Sequence, residues 1–353
     1  MKNAVQLFLE DQFDAVVVLK DVNKYYFTDF VSENSVLLLF RDNATFFLDK
    51  RYTEAAREKF RGTPVAVADI TGVNPYEAVR EELVGRGATR LGYEDAAISY
   101  ADYRILESLG MVLVGERGSI DEARKIKDES ELARIERAAE IADTAYSAAV
   151  GLLHEGVSEK EIADEIVYRM RREGAEDVSF DPIIAFGENT SRPHHVYTER
   201  KLKAGDAVTM DIGAKFKGYC SDMTRSFLYR GGKNLRYAET YCTVLEGQKN
   251  ALKHIKAGVS GRVADAYARD FITRAGYGEY FTHSLGHSVG LEIHEEPRLS
   301  ERSTDILKAG NIVTVEPGIY LEGEFGIRIE DMVCVTENGI VNFTKAEKNM
   351  CLE

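Results

Sequence analysis

Between Asp128 and Val335 one order of elements runs twice, and few folds accommodate such a chain. A long helix with apolar residues at three-and-four spacing starts at Asp128, in DESELARIERAAEIADTAYSAAVGLLHEG. Ser158-Glu159-Lys160-Glu161 is a capping box that opens a second helix ending near Gly174. An extended segment through SRPHH follows, then AVTMDIGAKFKGYCSDMTRSFLYR, which reads as two strands with a turn around Lys217-Gly218. The order then returns. Helices from about Arg236 to Lys256 and from Arg262 to Ala275 lead into a histidine-bearing stretch, Phe281 to Arg298. NIVTVEPGIYLEGEFGIRIEDMVCV closes the second round, again as two strands around a glycine-rich turn. Asp211 in the first round is matched by Glu316 in the second, and Asp222 by Glu330, at nearly the same offset. The pattern predicts a pseudo-symmetric α+β domain over residues 123–353, each half offering carboxylates to a site at the shared seam.

Residues 1–122 read as a separate α/β domain. Ala15 to Leu19, Val36 to Phe40 and Ala44 to Leu48 are apolar runs of strand length, and LGYE and MVLVG are two more. Arg51 to Phe60 and YADYRILESLG read as helices, and Asn74-Pro75-Tyr76-Glu77 is a helix start with an Asn cap and Pro in the first turn. No histidine precedes His154, so this domain reads as structural or oligomerising.

The formal net charge of −14, from 59 acidic and 45 basic residues, argues against a partner held by phosphate attraction, and no nucleic-acid role is expected. Cys220, Cys242, Cys334 and Cys351 are scattered without a CxxC, which suits reduced thiols and a cytoplasmic protein. Glu10, Asp11 and Asp14 interrupt any apolar run at the N-terminus, so neither a signal peptide nor a membrane span is expected.

Five of the seven histidines fall in two short stretches: His194 and His195 in SRPHH, and His283, His287 and His294 in FTHSLGHSVGLEIHEEPR. Asp211 lies among Val208, Met210 and Ile212, where an unpaired carboxylate is costly without a cation or donors. Singly, each acid could be a surface or salt-bridge residue; Asp222 could cap a turn or pair with Arg225, and Glu330 could pair with Arg328. Jointly, four acids in or beside apolar strands with His287 between the pairs make an oxygen-rich site with one nitrogen. Such a set suits two divalent ions, whose charge four carboxylates balance.

GHSVGLEIHE, DIG…SDMTRS, VEPGIY and GIRIEDM resemble the motifs of the pita-bread metallopeptidase family, which contains methionine aminopeptidase, aminopeptidase P and prolidase. The first domain, with YYFTDF and LDKRYTEAA, is similar to the creatinase-like N-terminal domain of the last two. The resemblance covers nearly the whole chain. It implies a creatinase-like α/β domain followed by a pita-bread catalytic domain, with Asp211, Asp222, His287, Glu316 and Glu330 as metal ligands and Asp222 and Glu330 shared by two ions. Manganese or cobalt is the implied metal. Two such cations lower the pKa of a shared water from 15.7 toward about 7. Glu316 is implied to pass a proton to the leaving nitrogen, and His194, His283 and His294 to donate to the oxyanion. Arg328, alternating with Ile327 and Ile329, is expected on the strand face of Glu330, holding a carboxylate or a water. His195 has no motif support and reads as a structural neighbour. Many relatives have glycine after the ligand histidine; this chain has Ser288, which replaces no ligand and is expected to tune the site.

The pairing of these two domains implies cleavage of the bond before proline, a tertiary amide whose nitrogen carries no hydrogen. Arg298 resembles the arginine with which prolidases hold the proline carboxylate, a task suited to its bidentate fork; read by itself, it is an arginine in an exposed Pro-containing loop. The expected substrate is therefore an Xaa-Pro dipeptide. The alternatives are an Xaa-Pro aminopeptidase acting on longer peptides and, more remotely, a non-catalytic peptide-binding module or a metal-free amidinohydrolase. Both of the remote readings sit badly with a complete ligand set. Relatives are commonly homodimers in which the N-terminal domain walls the partner's site, and the same assembly is expected here.

Overall fold

The computed structural model describes residues 7–8, 12–231 and 234–352. Glu10 and Asp11, on which the reading of the N-terminus rests, lie outside them. The chain divides into two compact units, Met1–Arg124 and Lys125–Glu353.

The first unit is built on a six-stranded mixed sheet. Its order is Val65–Asp69, Ala44–Leu48, Val36–Leu39, Ala15–Val18, Arg90–Tyr93 and Val112–Gly115. The central strands VLLL and AVVV are buried along their whole length, as expected of strands covered on both faces. The helix from Pro75 is capped as its sequence predicts, Asn74 Oδ1 accepting from the Tyr76 amide at 2.9 Å. Three elements were not legible, among them the short helix Ser119–Lys125. Asp21–Thr28 is a helix despite its β-branched and aromatic content, and the outer strand Val65–Asp69 is half exposed and only weakly apolar. No described helix is long and apolar enough to cross a membrane.

In the second unit, helices Glu129–Val150 and Glu159–Arg172 both start with a complete capping box, on Asp128 and Ser158. They pack on the sheet of Ile183–Phe186, Ala207–Ile212, Met223–Tyr229 and Cys351–Leu352, with Ile141, Ile166, Met210 and Phe227 in one core. Helices Leu235–His254 and Gly261–Arg274 pack on the sheet that holds Gly286–Ser288, Ile312–Val315 and Asp331–Val335, with Val244, Ile272, Val313 and Val333 in a second. Each half thus has a core of its own, the second also taking in Ala207 and Leu228 of the first hairpin.

The two acid-bearing segments are hairpins, but not the simple strand pairs expected. Each is broken in the middle. The first pairs Ala207–Ile212 with Met223–Tyr229, then resumes beyond Gly213 and Asp222 as Ala214–Phe216 with Tyr219–Cys220. The second pairs Ile312–Val315 with Asp331–Val335, then resumes beyond Glu316-Pro317 and Ile329-Glu330 as Gly318–Leu321 with Phe325–Arg328. The causes are local. A Cβ on Gly213 would stand 2.0 Å from the Ser221 carbonyl oxygen, so the strands cross too closely for a regular ladder. Pro317 has no N–H to give. The first hairpin turns at Lys217-Gly218 as expected, with φ of 46° and 80°.

The hairpins meet along one seam. The Glu330 amide donates to the Thr224 carbonyl at 3.1 Å, and the Arg328 amide donates to Ser226 Oγ at 3.0 Å. Behind the seam the buried Arg225 donates to the Thr224 and Glu330 carbonyls and pairs with Asp331 at 2.9 Å. Asp331 also holds Lys348 at 2.5 Å, which ties the segment before Cys351–Leu352 to the seam. Asp331→Ala leaves two cations beside an empty acceptor. We expect a loss of about 3–5 kcal/mol of stability, read as a lower urea midpoint at unchanged slope.

Candidate metal centre

The breaks in the hairpins place the acids. Asp211 is one residue from the end of its strand; Asp222, Glu316 and Glu330 stand in the gaps themselves. His287 is the middle residue of the short strand Gly286–Ser288. All five face one cavity of about 500 Å³. Ligand atoms of Asp222, His287 and Glu330 lie within 4.8 Å of one another. His287 Nε2 is 3.5 Å from Asp222 Oδ2 and 3.4 Å from Glu316 Oε1.

The hydrogen bonding shows what this cluster lacks. His287 Nδ1 lies 3.1 Å from the Ser288 carbonyl oxygen, an acceptor only, so Nδ1 carries the proton and the Nε2 lone pair points at carboxylates. Asp211 Oδ2 accepts from Arg328 at 2.5 Å, Glu330 Oε2 from Thr224 Oγ1 at 2.7 Å, and Glu316 Oε1 from Thr314 Oγ1 at 3.0 Å. The other oxygens of Asp211 and Glu330 are buried with no partner. Orphaned acceptors turned toward one another need a cation or a proton. Burial and then the neighbouring carboxylates hold Asp222 and Glu330 well above the usual carboxylate range. Burial, with Asp211 beside it and Arg328 opposing, pushes Glu316 up to about 8. Burial, aided by His294, pushes His287 down to about 4. Four carboxylates and one neutral imidazole nitrogen around one cavity fit divalent metal ions.

The remaining expected residues divide by what they touch. His294 is exposed, its ring centroid 4.4 Å from that of His287. His194 is exposed on the cavity wall, and its charge and that of Arg298 are felt at His294. Arg298 lines the same wall, its side chain bonded among the described residues to Glu296 alone, at 3.4 Å. His283 also lines the cavity, but both its ring nitrogens are occupied, by the Ser284 carbonyl and by Tyr320 Oη, each at 2.9 Å. It therefore has no N–H left for an oxyanion. Arg328 is engaged throughout: besides Asp211 it donates to Tyr320 Oη at 2.7 Å, Thr224 Oγ1 at 3.1 Å and the Pro193 carbonyl at 3.3 Å. It holds a ligand carboxylate, one of the two possibilities its alternation suggested. The pairings the sequence left open resolve otherwise: Arg225 takes Asp331, and Arg328 takes Asp211. His195 turns away from the cavity to the buried Glu159.

Sequence reasoning missed Tyr320, Thr224 and Thr314. The two threonines had a signal, since Thr224 is two residues after Asp222 and Thr314 two before Glu316. On strands that spacing puts hydroxyl and carboxylate on one face. Tyr320 had none. Ser288 Oγ accepts from the buried Lys127 at 3.2 Å, so the residue standing where relatives carry glycine is anchored away from the ligand cluster.

Residues 133–337 match the model of metallopeptidase family M24, and residues 1–126 that of the creatinase/prolidase N-terminal domain. Over 353 residues the chain is 36% identical to an Xaa-Pro dipeptidase of Pyrococcus furiosus, covering 99% of each. Among solved structures, an Xaa-Pro dipeptidase from Bacillus anthracis superposes with TM-score 0.93 at 37% identity, covering 99% of this chain and 98% of that one. An X-Pro aminopeptidase from Thermotoga maritima gives 0.91 at 34% identity, covering 96% and 98%.

The raised carboxylates set a pH dependence for metal-stripped protein. Unfolded, Glu316 titrates at its ordinary 4.5; folded, at about 8. Between these values the folded chain binds more protons, so stability falls as pH rises. His283 and His287, with lowered pKa values, act in the opposite sense, but only below about pH 6.5. The thermal midpoint of stripped protein should fall between about pH 6.5 and about pH 8.5, and a divalent ion should raise it more at the upper end. An unchanged midpoint would show that the carboxylates are not strained toward protonation.

Proposed function

The chain belongs to metallopeptidase family M24, and from that premise we propose that it is a dinuclear metal-dependent dipeptidase cleaving the Xaa-Pro bond, a prolidase. Arg298 carries the choice of substrate. It is a guanidinium on the cavity wall with one weak contact at 3.4 Å, so its fork is available to a carboxylate. The proline carboxylate of a dipeptide would meet it, and the ring would lie against Phe180 and Ile293, apolar side chains of the same cavity.

Asp211, Asp222, His287, Glu316 and Glu330 would hold two divalent ions, manganese or cobalt. When bound, such ions supply the positive charge that polarises the scissile carbonyl and makes water a nucleophile near neutral pH. The protein supplies the rest. Glu316 takes a proton from the attacking water and delivers it to the proline nitrogen, which cannot leave as an anion. His194 and His294 donate to the carbonyl oxygen as it gains charge. His283, with both nitrogens committed, acts instead through Tyr320 and Arg328 to hold Asp211.

A second reading, an aminopeptidase acting on longer peptides, is favoured by the Thermotoga maritima similarity. Free cysteines throughout support a cytoplasmic enzyme. The homodimer common among relatives belongs to the same proposal; a monomeric mass in solution with full activity would remove it.

Stripped protein re-supplied with manganese or cobalt should hydrolyse Met-Pro and leave Ala-Pro-Ala largely intact; preference for the tripeptide would transfer the reading to the aminopeptidase. Arg298→Ala should raise KM for Met-Pro about 10- to 100-fold, the worth of a charged hydrogen bond, with kcat far less affected.

A further inference from the structure

His194 is followed at once by a second histidine, and the proposed reaction gives that neighbour no part. The structure shows what His195 does. It is buried, and Nε2 donates to Glu159 Oε2 at 2.9 Å. Glu159 is fully buried at the start of its helix, and among the described residues its one basic partner is this ring. Five donors converge on it. Oε1 accepts from the Phe186 amide and Asn189 Nδ2, each at 2.8 Å. Oε2 accepts from His195, from the Thr198 amide at 2.8 Å and from Thr198 Oγ1 at 2.7 Å. Every one of these donors belongs to the segment between Phe186 and Thr198, the loop that carries His194. Burial alone would raise the carboxyl's pKa, but the bonds from Asn189, His195, Thr198 and Phe186 outweigh it and hold it below its ordinary range.

The residues on either side of His194 are thus both held. The Pro193 carbonyl accepts from Arg328, which grips Asp211, and His195 is gripped by Glu159. His194 itself is exposed and faces the cavity between two fixed points. We propose that Glu159, acting through His195, is a positioning residue for the reaction: it sets the placement of His194 at the substrate without contributing to metal binding. A carboxylate is required there because both its oxygens accept. Glutamine would turn its NH2 group toward either the Phe186 amide or the Thr198 amide, neither of which can accept, and the loop would have to move.

This inference rests on the reading of His194 as a substrate-facing donor, and a double-mutant cycle separates the two. Glu159→Gln and His195→Asn should each lower kcat/KM for Met-Pro about 10- to 100-fold, the cost of misplacing a reacting group by about an ångström. Metal content per chain, measured by plasma mass spectrometry, should equal that of the parent protein. In a His194→Ala background the same changes should cost less than about twofold more, because residues acting as one unit are not additive. If Glu159→Gln does not fold, His195→Asn carries the test alone. Losses that multiply in the cycle, or metal content that falls with activity, overturn the positioning role and leave the reading of His194 intact. If His194→Ala alone leaves kcat/KM unchanged, that reading falls and this inference with it.

Discussion

The second unit is arranged around one electrostatic problem. Carboxylate oxygens and an imidazole lone pair are aimed into a single buried volume, and nothing on the protein side supplies a proton to keep them apart. Four of them are tied to neighbours: Asp211 to Arg328, Glu330 to Thr224, Glu316 to Thr314, His287 to the Ser288 carbonyl. Rotating away to meet water would break those bonds. The cluster is therefore pre-organised for cations, and such fixed geometry lets a site choose ligand number and type before any ion arrives.

Breaking two β-hairpins at matching places is what makes this possible. An unbroken strand sends alternate side chains to opposite faces and hides them in the sheet. Gly213 and Pro317 interrupt the ladders, so acids stand at strand ends, where carboxylates can turn toward each other. The hydrophobic cores carry the stability on both sides and leave the seam free for polar work. Arg225 and Asp331, buried behind it, join the hairpin backbones with charge-assisted bonds where apolar packing is absent.

Much of this was legible, for reasons that differ by residue. The acids could be found because charge on an apolar strand is anomalous, and the histidines because they cluster. The capping box at Ser158 is a local code and reads correctly, whereas the one at Asp128 was passed over for the apolar spacing of its helix. The misses are non-local. Tyr320 matters only because His283 and Arg328 arrive beside it, and Glu159 only because a loop beginning at Phe186 folds back onto it. A capping-box sequence marks Glu159 as a helix start and says nothing of five donors converging there. The breaks in the hairpins were hidden for a related reason: the carbonyl that forbids a Cβ at Gly213 comes from the opposite strand.

The separate cores bear on how the chain acquires its activity during folding. Each half packs its helices on strands near them in sequence, apart from Cys351–Leu352, which returns to pair with Met223–Tyr229, whereas the seam joins Thr224 to Glu330 across 106 positions. Short-range structure forms early and long loops close late. Asp211 and Asp222 come from one half and His287, Glu316 and Glu330 from the other, so neither half alone presents a full coordination sphere. Ion capture is thereby deferred to the closing of the seam, and a chain that has folded only halfway offers a passing metal little to hold.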